Sequence, residues 1–343
     1  MSDALINGLA GAGGGIISQL ITYPLLTVNT RQQTDRDVRK SKSNFGTLEQ
    51  MCQVVKEEGW ERLYGGLMPS LVGTAASQGV YYYFYHIFRN RAEEAALTQK
   101  KIGISDGSVG MLSSLFIAAL SGSLNVLLTN PIWVVVTRMQ TQRKESNKTD
   151  PDMGLLVVDG EKSLPPPADK PLPYDTKHVI QEVYEEGGIG GFWNGVLPSL
   201  IMVCNPSIQF MLYETMLIKM KRRPDGNKKG SNGVTAFEVF LLGALAKLGA
   251  TVVTYPLLVL KSRLQAKQDK TGDIRHRYKG TWDAVIKMIN YEGLYGFYKG
   301  IGTKIVQSVL AAAILFMMKE ELVKSVQSLL AKDGSNALKR KQL

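Results

Sequence analysis

"YPLLTVNTRQQ" at residues 23–33, "NPIWVVVTRMQ" at 130–140 and "YPLLVLKSRLQ" at 255–265 are three copies of one phrase. Each sets a proline (Pro24, Pro131, Pro256) seven residues before an arginine (Arg31, Arg138, Arg263) and nine before a glutamine (Gln33, Gln140, Gln265). A second block follows each copy: "FGTLEQMCQVVKEEGWERLYGG" from Phe45, "YDTKHVIQEVYEEGGIGGFWNG" from Tyr174 and "YKGTWDAVIKMINYEGLYGFYKG" from Tyr278. Self-similarity of this kind marks a chain built from one repeated unit. The units are read over 1–95, 105–223 and 234–331, with a basic tail over 332–343. From proline to the aromatic of the second block the spacing is 21, 43 and 22 residues, so the middle unit carries an insertion. Residues 143–173, "RKESNKTDPDMGLLVVDGEKSLPPPADKPLP", are rich in proline and charge and read as a flexible loop.

Charge shows where each unit meets a membrane. Residues 4–30, 63–88, 107–137 and 187–213 hold no Asp, Glu, Lys or Arg, residues 239–260 hold only Lys247, and residues 305–318 hold none. A helix crosses a bilayer core in about 20 residues, so the first four windows suffice by length. The sixth has 14 residues and needs Lys304 and Lys319 to snorkel toward headgroups, or else is a core helix of a soluble protein. Six candidate spans follow. Hydropathy is mild, with a mean of -0.05, because the windows hold much Gly, Ser, Thr, Asn and Gln. That content suits a bundle around an aqueous cavity better than helices bathed in lipid.

The 343 residues carry a formal charge of +11, with Lys and Arg mostly between the spans. Such an excess fits an anionic cargo or anionic lipid headgroups equally well. The basic residues neither cluster in one domain nor interleave with a base-reading motif, so nucleic acid is not an expected partner. Cys52 and Cys204 alone imply no disulfide framework, and no cleaved leader is evident before Asp3. His86, His178 and His276 lie in different regions and no H-E-x-x-H or C-x-x-C occurs, so neither an enzyme nor a cofactor is expected.

The glycine-rich opening "GLAGAGGGIISQLITYP", residues 8–24, has two readings. A phosphate-binding fingerprint requires a preceding strand and a third glycine, yet Ile16 stands where G-x-G-x-x-G from Gly11 needs one. Thirteen and nine residues before the three prolines stand Gly11 and Gly15, Ala118 and Gly122, Gly243 and Lys247. This is small-x-x-x-small spacing, which lets helices approach closely, and only Lys247 breaks it.

A proline phrase of the form P-x-[DE]-x-x-[KR]-x-[KR]-x-Q with an E-G block, three times over, is similar to the signature of the mitochondrial carrier family across nearly the whole chain. The resemblance implies an all-α membrane protein: six transmembrane helices in three pseudo-threefold repeats, with short amphipathic helices between them. Trp133 and "NPSIQFMLYE" at 205–214 resemble the branch that carries nucleotides and nucleotide cofactors, particularly its peroxisomal members. What this implies is antiport of NAD, with CoA as a further substrate, against AMP or ADP through a central cavity in the peroxisomal membrane. The alternative is an ATP/AMP or ADP exchanger of peroxisomes or the mitochondrial inner membrane. The partners so implied are nucleotides and membrane lipids, and the working unit a monomer.

Departures from the family pattern define the expected gates. The acid two residues after proline is replaced by Leu26, Trp133 and Leu258, and the base five after it stands as Asn29, Val136 and Lys261. These positions share a helix face with Gln33, Gln140 and Gln265, so an apolar plug is expected where relatives use ion pairs; the alternative is that the three apolar residues face lipid. At the other mouth, counting from Gly66, Gly195 and Gly300 leaves one inter-repeat pair, Arg89 with Glu320, or else two solvated surface charges. Seven residues past the same glycines stand Gly73, Met202 and Gln307, matching the family's substrate contacts to within a residue, which brings in Ile201. Gly73 is expected to leave room for a bulky ligand, and Asn205 and Gln209 either read an adenine edge or pack helices. Lys247 lies eleven residues before Leu258 on nearly the same face and is expected to bind substrate phosphate; pairing with Glu214 and burial as the neutral amine are the alternatives.

Overall fold

The computed structural model describes residues 3–36, 46–101, 109–142, 175–221, 236–267 and 278–340, all helical or connecting, with no strand among them. The insertion at 143–173 lies outside these residues. The first unit comprises α1 (Asp3–Thr34), α2 (Thr47–Glu58) and α3 (Leu67–Lys101). The second comprises α4 (Met111–Thr141), α5 (Thr176–Gly187), α6 (Val196–Met202) and α7 (Asn205–Lys221). The third comprises α8 (Ala236–Gln265), α9 (Thr281–Glu292) and α10 (Ile301–Arg340). In each unit a long helix containing the proline leads to a short amphipathic helix, a 3-10 turn and a second long segment.

The turns follow from glycine. Gly59, Gly188 and Gly293 end the amphipathic helices with φ of 92°, 60° and 67°, and Gly66, Gly195 and Gly300 start the next helices with φ of 78°, 74° and 81°. Only glycine enters this region without strain.

The prolines do not break their helices. Two residues before each stands a threonine whose hydroxyl donates to the carbonyl four back: Thr22 to Ser18 at 2.8 Å, Thr129 to Asn125 at 2.8 Å and Thr254 to Ala250 at 2.8 Å. Pro131 also frees the Leu127 carbonyl, and the Trp193 indole donates to it at 3.0 Å.

Packing closes a ring. Along its length α1 packs on α10, α3 on α4 and α7 on α8, so each unit's second segment lies against the next unit's first helix and the last unit returns to the first. Beyond the prolines α1, α4 and α8 also touch one another, which draws the ring together at one end. Windows within Met111–Thr141, Ile189–Met220, Glu238–Gln265 and Leu294–Val323 reach mean hydropathies of 1.8, 1.4, 1.6 and 1.8 and are apolar enough to span a bilayer. Among the described residues α1 and α3 are not, although their 32 and 35 residues exceed the length required. Gly, Ser, Thr, Gln and the tyrosines of "VYYYFYHIF" dilute them.

The glycine rows behave differently from one repeat to the next. A Cβ on Gly122 would meet Val203 Cγ1 at 2.7 Å, a true close approach, whereas Gly11, Gly15 and Gly243 have nothing within 4 Å. In α1 the approach falls on Gly13, where a Cβ would meet Leu322 Cδ1 of α10 at 3.2 Å. Two residues of α-helix turn the chain by about 200°, so Gly13 faces the partner and the Gly11–Gly15 row faces away.

Candidate functional site

Where α1, α4 and α8 meet, three glutamines bridge them. Gln33 Nε2 donates to the Tyr255 hydroxyl at 3.2 Å, and the Ser262 hydroxyl donates back to Gln33 Oε1 at 2.7 Å. Gln140 Nε2 donates to Tyr23 at 3.1 Å and accepts from Thr30 at 3.0 Å. Gln265 Nε2 donates to Asn130 Oδ1 at 3.3 Å and accepts from Thr137 at 3.0 Å. Each glutamine thus bridges to the residue just before the neighbour's proline and to the residue six after it. The pre-proline residues are in turn tied to their own repeats: Tyr23 donates to the Gly65 carbonyl at 3.0 Å, Tyr255 to that of Lys299 at 2.8 Å, and Asn130 Nδ2 to those of Phe192 and Asn194 at 2.9 and 3.3 Å. The result is a cyclic belt of neutral hydrogen bonds joining α1, α4 and α8. All three glutamines are buried, so each bond lost would leave a polar group without water.

Below the belt each arginine of the proline phrase holds a glutamate of its own repeat. Arg31 grips Glu58 through both Nη atoms at 3.0 and 2.9 Å, and Arg263 grips Glu292 in the same bidentate way. Both also reach across a seam: Arg31 Nε donates to the Gln140 carbonyl at 3.0 Å and Arg263 Nε to that of Gln33 at 2.9 Å. Burial alone would raise the Glu58 and Glu292 carboxyls, but the hydrogen bonds and charges of Arg31 and Arg62, and of Arg263 and Lys299, outweigh it and hold both below the usual 4.5.

The second repeat departs from this pattern. Arg138 touches Glu186 through Nη2 alone, at 2.7 Å, and its buried Nε and Nη1 have no partner. Glu58 and Glu292 directly precede the turn glycines Gly59 and Gly293, whereas Gly187 stands in that place before Gly188 and the glutamate lies one residue further back. The α4–α8 seam therefore lacks the arginine clasp that the other two seams have.

The plug positions are distributed differently from one another. Trp133 Nε1 donates to Ser77 Oγ of α3 at 3.1 Å, which ties the indole to the α3–α4 seam. Leu258 packs on the third repeat's cluster of Tyr255, Val259, Leu260 and Leu264, and Leu26 is half-buried. Asn29 joins the belt, its Oδ1 accepting from Gln33 Nε2 at 3.4 Å, and Val136 is buried. Lys261 is half-buried and makes no ion pair or hydrogen bond among the described residues. The contacts that join α1, α4 and α8 at this end are thus the belt and the clasps, with the apolar residues seated around them.

Further up the ring, Gly73 is buried and a Cβ there would meet Ile132 Cγ2 at 3.0 Å, so the space it leaves is taken by Ile132, with Trp133 Cζ2 at 3.8 Å. Ile201 is exposed, Met202 and Gln209 are half-buried, and Asn205 Nδ2 donates to Thr254 of α8 at 2.7 Å. This stretch contains an interruption: α6 ends at Met202, α7 starts at Asn205, and Pro206 cannot donate to the Met202 carbonyl. Irregular backbone at such depth is tolerated where it lines a cavity or is covered by protein. Gln307 Oε1 accepts from Lys304 Nζ at 3.0 Å. Lys304 thus turns further into the span rather than snorkelling outward. Lys247 is exposed. At the wide end Arg89 pairs with Glu93 at 2.6 Å and reaches Ser114 at 3.4 Å, rather than crossing to Glu320.

A sequence profile of the mitochondrial carrier protein matches residues 2–95, 107–223 and 232–329. The chain belongs to that family. It is 67% identical over 336 residues to the peroxisomal nicotinamide adenine dinucleotide carrier of Arabidopsis thaliana, covering 98% of this chain and 100% of that one. It is 29% identical to the peroxisomal membrane protein PMP34 of Mus musculus, over 93% of this chain and 92% of the other. It is 27% identical to the chloroplastic nicotinamide adenine dinucleotide transporter 1 of Arabidopsis thaliana, over 92% and 89% respectively.

Proposed function

We propose that this carrier is an antiporter of the peroxisomal membrane that exchanges NAD for AMP or ADP, with coenzyme A as a further substrate. The likeness to the peroxisomal nicotinamide adenine dinucleotide carrier, at 67% identity over 98% of this chain, carries the reading. A similarity of that extent leaves little of the ring unshared. The chloroplastic transporter of the same dinucleotide lends support at 27% identity.

The geometry suits the task. Alternating access needs one mouth held shut by bonds that can be broken and remade, and a belt of neutral amide and hydroxyl bonds meets that need without a large desolvation cost. In this reading Gln33, Gln140, Gln265 and Asn29 close the inner mouth while Leu26, Trp133, Val136, Leu258 and Lys261 shape it. Arg89 and Glu320 come together only when the belt opens. Cargo contacts fall to Lys247, Gln307, Ile201, Met202, Asn205 and Gln209 around the ring, with Gly73 setting the path of α3. The unit is a monomer and uses no cofactor. Liposomes containing the purified protein and loaded with AMP test this directly: external NAD should enter in exchange, faster than ATP. Uptake of ATP or ADP in preference to NAD would instead make it an adenine-nucleotide exchanger.

A further inference from the structure

Two lysines of the third repeat, Lys247 on α8 and Lys304 on α10, stand within about one helical turn of each other in height, and among the described residues no acid pairs with either. The Tyr255 hydroxyl bond to the Lys299 carbonyl, at 2.8 Å, fixes the relative level of the antiparallel α8 and α10. Lys247 lies eight residues before Tyr255 in continuous helix, about 12 Å above that bond at 1.5 Å per residue, and Gln307 is the seventh residue of α10, about 9 Å above the start of that helix at Ile301. Lys304 lies one turn below, and its ammonium is already directed upward by the 3.0 Å bond to Gln307. Neither has an ion-pair partner among the described residues, and Lys304 is half-buried. Two like charges on neighbouring helices repel wherever little water lies between them, and an arriving anion removes that cost.

We infer that Lys304 and Lys247 together bind a phosphate group of the cargo, with Gln307 holding the Lys304 ammonium toward it. This rests on the nucleotide-exchange reading and deepens it. Lys247 alone would be a point charge on one wall; Lys304 supplies the second donor from the adjacent helix, and the two span the α8–α10 wall.

Thermal unfolding of the purified carrier, empty and with AMP or adenosine, separates a binding role from a structural one. In the wild type AMP should raise the midpoint and adenosine should not. Lys304→Gln should raise the midpoint of the empty protein, because a repulsion is lost, and should abolish the AMP shift; Lys247→Gln should do the same. In liposomes the KM for NAD should rise roughly tenfold or more in either variant, the scale of one charge-assisted hydrogen bond. A Lys304→Gln protein that keeps the full AMP shift and wild-type KM overturns the inference, whatever its own stability. If Lys304→Gln does not accumulate, Lys247→Gln decides by the same criterion. A wild-type protein that neither responds to AMP nor takes up NAD sinks the nucleotide reading itself, an outcome distinct from variants that respond as the wild type does.

Discussion

Gln33, Gln140 and Gln265 are visible in the sequence because a threefold repeat singles them out, but their partners are not. Nothing in a linear reading says that each amide reaches the residue before the preceding repeat's proline, since that contact depends on how far α1, α4 and α8 converge. The same gap made an apolar plug of Leu26, Trp133 and Leu258 look sufficient. Helix phase placed them at the mouth, whereas the hydrogen bonds there are made by Tyr23, Asn130 and Tyr255, one residue before the prolines, and by Thr30, Thr137 and Ser262, six after them, positions that recur in the sequence but do not show what they bond. Lys304 escaped notice for a related reason: a count of charges marks it as the end of a span, and only the packed geometry turns it toward Gln307. Removing one belt glutamine should be costly. Gln33→Ala forfeits its bonds to Tyr255 and Ser262 and leaves buried groups unpaired, a loss of about 1–3 kcal/mol. It should lower the thermal midpoint and let preloaded AMP leak from liposomes without a counter-substrate; a tight, equally stable variant would count against the belt as the closure.

Among the elements, the three E-G turns differ in one way that the sequence does show once its consequence is known. "EEGW" and "YEGL" put glutamate directly before the turn glycine, and "EEGG" inserts Gly187 there. The outcome is a single Arg138–Glu186 contact in place of a bidentate clasp, with two buried guanidinium N–H groups unpaired. Gly187 is helical, and a Cβ there meets nothing within 4 Å. Gly187→Glu should therefore stabilise the protein: replacing a helical glycine gains roughly 0.5–1 kcal/mol, and the new carboxylate lies where the other repeats hold theirs. A higher thermal midpoint together with slower exchange is the expected result, since the clasp must open for transport. A lower midpoint would show that Arg138 does not accept it.

The clasps also set a pH limit. Glu58 and Glu292 are held below 4.5 in the folded protein, so their contribution is fully present above that value and declines as pH falls through their lowered pKa values. Thermal stability should be level with respect to these groups from about pH 6 to 8 and drop only below about 4.5. In Glu58→Gln the same acid-side decline should be smaller.

For the molecule as a whole, the all-helical three-repeat ring was legible, because proline, glycine and E-G signals recur in register and each is a local instruction. Span count was less so. Among the described residues four windows are apolar enough to be recognised alone, and α1 and α3 take their place through packing against α10 and α4. Cargo was legible only through resemblance, since no composition or spacing distinguishes NAD from another anionic nucleotide. The central claim is that this ring exchanges NAD for AMP by opening one mouth at a time, and counter-exchange in liposomes tests it most directly. External NAD should enter AMP-loaded vesicles containing the purified protein, with one AMP leaving for each NAD that enters, and should not enter vesicles loaded with buffer alone. NAD uptake that is absent, or that proceeds equally without internal nucleotide, would contradict it.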